Sequence, residues 1–177
     1  MKSIDDLIQR EGAYSEHPAD KGGPTMYGIT ERKAREHGYL GNMRDLPRTL
    51  AETIYLGEYW ISTNISRLRP HSVAEEVLDS AVLHGPGTAI MWLQVALNAF
   101  NGNGKLYADC KTDGILGTKT LEIVAAYMAA RGKQDGEAVL VRALNCLQGA
   151  YMIELRQEDF VFGWIRHRVS VARGPDV

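Results

Sequence analysis

Apolar residues recur every third or fourth position along most of this chain, and glycine or proline closes most of these runs. Ile4, Leu7 and Ile8 begin the pattern, with Ser3 and Asp6 spaced as a capping box at its start. Val73, Val77, Leu78, Ala81 and Val82 repeat it over 72–84, which Gly85-Pro86-Gly87 ends, and Ile90, Leu93 and Leu97 carry it over 88–100. Further helices are expected from Glu31 to His37 behind a Thr30 cap, and from Pro47 to Trp60 with Leu50, Ile54 and Tyr55 inward. Others are expected behind a Thr118 cap as far as Gly132, from Asp135 to Arg156, and from Phe160 to Val171. Two stretches lack lasting periodicity and are rich in turn formers: 12–28, where a short hairpin fits, and 101–117. The expectation is a mainly α protein with little or no sheet. Its first region is 1–87, and a helical region, 88–177, packs with it as one unit.

Charge excludes several partners. With 20 Lys and Arg against 22 Asp and Glu, scattered rather than clustered, the chain lacks the basic stripe of a nucleic-acid binder or a polybasic membrane anchor. No apolar run approaches the roughly 20 residues of a membrane helix, so stable membrane insertion is not expected. Asp5 and Asp6 stand where a secretory leader would be basic and then apolar, so synthesis in the cytoplasm is expected. Cys110 and Cys146 lack metal-type spacing and read as reduced, half-buried residues. His17, His37, His71, His84 and His167 form no zinc pairing and read as surface or helix-end residues. No metal and no cofactor is called for.

The residue that stands out is Glu11, the next position on the Ile4-Leu7-Ile8 stripe. Partial burial and the negative end of a helix dipole both raise a carboxyl pKa, as a general acid working near neutrality requires. The stripe alone equally admits a helix-end glutamate turned to water or paired with an arginine. The loop that follows adds acids, hydroxyls and glycines. Asp20 is placed to supply the second carboxylate of a glycosidase, and Thr25 to hold a water. Each also has a plain turn role open to it. Tyr14, Tyr27, Tyr59 and Trp60 are candidate walls for pyranose rings, although an aromatic ending an apolar helix, as Trp60 does, also suits a core.

The segment from Glu11 to Thr30 resembles the signature of glycoside hydrolase family 108 muramidases, E-G-G-Y followed by P-x-D-x-G-G-x-T-x-x-G-I-T. Glu11, Gly12, Tyr14, Pro18, Asp20, Gly22, Gly23, Thr25, Gly28, Ile29 and Thr30 match it, and Ala13 departs from it. Ile54-Tyr55 and Tyr59-Trp60 are similar to a later helix of that family. Leu93-Gln94, the run Thr112 to Leu121, and Gly163-Trp164 with Arg168 resemble its companion peptidoglycan-binding module. The resemblance implies a lysozyme-like helical fold and hydrolysis of the β-1,4 bond between N-acetylmuramic acid and N-acetylglucosamine, with Glu11 as catalytic acid. A lytic transglycosylase and a non-catalytic wall-binding export accessory are the alternatives left open. The implied partner is bacterial peptidoglycan. A muramidase made in the cytoplasm then needs a phage-type pore or a dedicated secretion route to act in the periplasm or wall.

Overall fold

Helix α1 (Lys2–Glu11) is held by its apolar stripe: Ile4, Leu7 and Ile8 are all at most 3% exposed, and α1 packs on α3 (Arg48–Ile54). A ten-residue helix is marginal alone, so burial of that stripe is what stabilises it. The computed structural model describes residues 2–12, 14–16, 23–155, 161–163, 165–166 and 169. It divides into two compact units, 1–62 and 63–177. The helix starts at Lys2, ahead of the expected cap, so Ser3 lies inside its first turn. Asp5 pairs with Arg48 at 2.6 Å, tying α1 to the start of α3.

After α1 the first unit turns through β1 (Thr25–Met26) and β2 (Ile29–Thr30), an antiparallel pair with Thr25 opposite Thr30 and Met26 opposite Ile29. Thr30 then caps α2 (Glu31–Glu36), its side chain accepting from the Lys33 amide at 3.3 Å. A 3₁₀ turn, Met43–Asp45, capped by Asn42, precedes α3 and has no counterpart in the sequence reading. The expected helix from Pro47 to Trp60 is really two windings: α3, then a π-helical segment, Tyr55–Ile61. This change decides which way Trp60 faces. Residues five apart lie about 140° apart on an α-helix, yet Tyr55 and Trp60 are both buried. The wider i→i+5 winding, seen in the bond from the Ser62 amide to the Gly57 carbonyl at 3.1 Å, turns them to one side.

The second unit is a bundle of α4 (His71–His84), α5 (Pro86–Ala99), α6 (Thr118–Arg131) and α7 (Lys133–Glu154). Helix α7 packs on the other three. Val73, Val77 and Leu78 of α4, Leu93 and Leu97 of α5, and Leu140 and Leu144 of α7 supply the core, all at most 1% exposed. Gly85, at φ +88°, makes the sharp reversal, and Pro86 begins α5 two residues ahead of the expected start. Gly117, not Thr118, is the N-cap of α6. Residues 161–163 and 165–166 are helical. Cys110 is buried and free. Cys146 is free too but exposed, because it falls on the outer side of α7.

The irregular segment 101–117 is organised by two side chains of α5. Fully buried Gln94 donates to Asp113 Oδ1 at 3.0 Å and the Ile115 carbonyl at 3.1 Å, and accepts from the Gly114 amide at 2.9 Å. Asn98 makes a reciprocal pair with the Cys110 backbone, at 2.8 and 2.7 Å. Gly114 sits at φ +71°, and a Cβ there would meet the Gly87 carbonyl oxygen at 2.6 Å. Asp113 is thus a turn residue, its amide-bonded carboxylate lowered from the ordinary 3.8 chiefly by the Ile115 N–H. Gln94→Leu would strand the Gly114 amide and remove one donor each from Asp113 and the Ile115 carbonyl, which keeps the Gly117 amide at 3.0 Å, and should cost about 2 kcal/mol in urea denaturation. Gly114→Ala, meeting both the clash and the positive φ, should cost at least as much. Wild-type midpoints for both would refute this account of the loop.

Candidate active site

The site is built around the end of α1. Glu11 is the last helical residue, three and four positions beyond Ile8 and Leu7, so its backbone continues the buried stripe. Gly12, at φ +80°, ends the helix there in a conformation an L-residue seldom adopts. The side chain of Glu11 lies outside the described part of the structure, as do Asp20 and the whole segment 17–22. From Gly23 the chain runs into β1. Ser15 and Thr25 exchange two backbone hydrogen bonds, both 2.9 Å, so the segment just after Glu11 is stitched to the strand that carries Thr25. Thr25 Oγ1 donates to the Gly23 carbonyl at 3.2 Å. That bond leaves the hydroxyl oxygen's acceptor capacity in place.

The tyrosines stand in different situations. Tyr14 donates to Glu16 Oε2 at 2.6 Å, and the Arg44 guanidinium lies 3.9 Å from its ring centroid, occupying one face. Its hydroxyl is held above the ordinary 10.0, chiefly by the bond to Glu16. Tyr27 is the more unusual. It and Gly28 form the loop of the β1–β2 hairpin at φ +54° and +75°, the double positive φ of a type I′ turn. Asn or Asp normally fills the first position, and a left-handed tyrosine costs about 1–2 kcal/mol. Tyr55 compensates from the π-helical segment, its buried hydroxyl donating to the Tyr27 carbonyl at 2.9 Å. Tyr59, half-buried, has its ring 5.7 Å from that of Tyr55. Trp60 is only 6% exposed, so its faces serve the core rather than a groove.

The first unit also holds a charged cluster that the sequence reading did not isolate. Glu58, one residue before Tyr59, accepts from Lys33 Nζ and from His37 Nε2, both at 2.7 Å, joining the π-helical segment to α2. Burial opposes its ionisation, but the bonds and charges of Lys33 and His37 outweigh that and hold the carboxyl below its ordinary 4.5. Among the described residues no group of His, Cys, Asp and Glu is placed to hold a metal.

A family model described as glycosyl hydrolase 108 matches residues 4–85, and a second, a predicted peptidoglycan domain, matches 88–169. Residues 4–85 belong to the glycosyl hydrolase 108 family. Ten chains of solved structures match this chain. One, described as the structure of Brucella abortus SagA, is 26% identical with a TM-score of 0.72, over 95% of this chain and 87% of that one. None of the curated proteins matches. As a glycosyl hydrolase 108 protein carrying a peptidoglycan domain, the chain is a peptidoglycan hydrolase of the lysozyme-like type. Within this glycosyl hydrolase 108 region the Ser15 segment, Thr25 and the Tyr27 turn share one hydrogen-bonded neighbourhood that follows α1 in the chain. The hydrogen bond of Tyr55 to the hairpin and the packing of Trp60 could not be read from spacing, because both follow from the π winding.

Two stability measurements test this account. Tyr27→Asn places a residue that tolerates the left-handed region at the turn and should melt no lower than wild type, while Tyr55→Phe should cost about 1 kcal/mol by stranding the Tyr27 carbonyl. A Tyr27→Asn protein that is clearly less stable would mean the turn is not strained. Because the folded pKa of Glu58 lies below its unfolded value, its contribution is present above about 4.5 and is lost as pH falls through the folded pKa. Glu58→Gln should therefore cost up to about 1 kcal/mol at pH 7. In urea titrations against pH it should approach wild type in acid, and a pH-independent penalty would contradict the ion-pair role.

Proposed function

We propose that this protein cleaves the β-1,4 bond between N-acetylmuramic acid and N-acetylglucosamine in peptidoglycan, with Glu11 as the general acid. The observation that carries this reading is the continuation of a buried apolar stripe into residue 11 at the last turn of α1. The negative end of the helix dipole at that position favours the protonated carboxyl that a general acid must present to the leaving oxygen. Asp20 is proposed as the group that meets the developing positive charge on the sugar ring or activates water. Thr25, with its lone pairs still able to accept, is proposed to orient that water. Tyr14, Tyr27 and Tyr59 are the proposed walls for the sugar rings. The cost of holding Tyr27 in a left-handed turn supports its place among them, since strain of this kind concentrates where a side chain must be presented in one direction. Because the substrate is the wall, the proposed place of action is the periplasm or cell wall.

The reading is tested on purified peptidoglycan by following reducing ends and fragment masses. Wild type should release disaccharide-peptide fragments with reducing muramic acid ends, and Glu11→Gln should lose at least about a hundredfold in rate. Products lighter by one water, the anhydro form, would keep Glu11 but make the reaction a transglycosylation. Equal rates from both proteins would remove Glu11 from the mechanism.

A further inference from the structure

The second unit holds a cavity of about 590 Å³ that the proposed chemistry does not use, within the size range of small-ligand pockets. Its lining is apolar along α6, from Leu121, Val124 and Met128, and otherwise basic, with Arg67, Arg69, His71 and Lys133. No Asp or Glu lines it, in a chain with more acids than bases overall. Arg67 and Lys133 make no ion pair among the described residues, and Arg69 spends its bonds on the Ser66 and Leu68 carbonyls. Of the carboxylates close in sequence, Glu75 is engaged by His71 at 3.4 Å, Glu137 by the Ser72 hydroxyl and Glu122 by Lys119 at 3.8 Å, while Asp135 lines a different cavity. Helices α4 and α7 both begin at this lining without a side-chain cap, so their N-terminal amides add to its positive potential.

The lining selects a ligand class. It contains no Phe, Tyr or Trp, so it lacks the flat platform a sugar ring stacks on, and a neutral glycan has no use for three cations. A short chain bearing both methyl groups and several carboxylates fits both parts at once: apolar atoms on the α6 residues, carboxylates toward Arg67 and Lys133. We propose that this cavity binds the peptide stem of peptidoglycan, whose alanine, γ-linked glutamate and diamino-acid units have that composition. The proposal rests on the peptidoglycan reading above and adds to it a second contact point: the stem, held by the 63–177 unit, adds to whatever affinity the glycan strand provides.

The test uses the full chain and, as probe, the free tetrapeptide L-Ala-γ-D-Glu-meso-diaminopimelyl-D-Ala, titrated calorimetrically. Wild type should bind it, and should bind more weakly as salt rises from about 50 to about 300 mM. Arg67→Glu with Lys133→Glu should weaken binding about tenfold or more, whereas Arg67→Lys with Lys133→Arg, which keeps the charges, should retain it. A tetrapeptide with amidated carboxylates should bind like the charge-reversed protein. The proposal is overturned if the tetrapeptide does not bind wild type, if charge reversal changes nothing in a protein whose circular dichroism is intact, or if poly(glycerol phosphate) binds more tightly than the peptide. The probe has no glycosidic bond, so peptide binding without wall cleavage would sustain this proposal while the hydrolase reading fails. Cleavage without peptide binding would do the reverse.

Discussion

Three buried side chains, Ile4, Leu7 and Ile8, fix the position on which the rest of the first unit depends. Each is worth roughly 1.5–3 kcal/mol when fully buried, which is what allows a ten-residue helix to persist. Once they are anchored against α3, helical geometry leaves residue 11 no choice of side. Gly12 then ends the helix at once, so a carboxylate-bearing residue occupies the negative end of the dipole at the edge of a core.

Around that point the first unit keeps its irregular parts in place by cross-bracing. The Ser15–Thr25 bridge joins the chain beyond α1 to the hairpin. The Tyr55 hydroxyl braces the strained Tyr27 turn from behind, and Glu58 ties the same π-helical segment to α2 through Lys33 and His37. A π winding stores less regular hydrogen bonding than an α-helix, and such windings recur at functional sites. Here it brings Tyr55 and Trp60 together into the core while Tyr59 stays at the half-buried edge.

The second unit solves a different problem. Its long loop buries Tyr107, Cys110 and Leu116, and Gln94 and Asn98 lend it the hydrogen bonds of a secondary structure it does not have. Because both amides sit on a helix locked in the bundle core, the loop inherits that helix's rigidity. The cavity between the α4 and α7 starts and α6 belongs to the same rigid frame.

What the sequence determined by itself is what short-range chemistry encodes. The helical repeat, the Thr30 cap and the glycine breaks were sufficient for a mainly α fold, and the residues matched between Glu11 and Thr30 carried the resemblance to a glycoside hydrolase family. Tertiary structure decided what depends on partners far along the chain. The assignment of α4 to the compact unit 63–177 follows from its packing on α5 and α7, which no local signal between 63 and 87 announces. The inward turn of Trp60 follows from a winding that periodicity reads as α. The strain at Tyr27 was invisible because a Tyr-Gly pair does not advertise a type I′ turn as Asn-Gly does. The cationic cavity joins residues 67–71, 121–128 and 133, segments whose charges look scattered until the bundle closes and puts them in one lining.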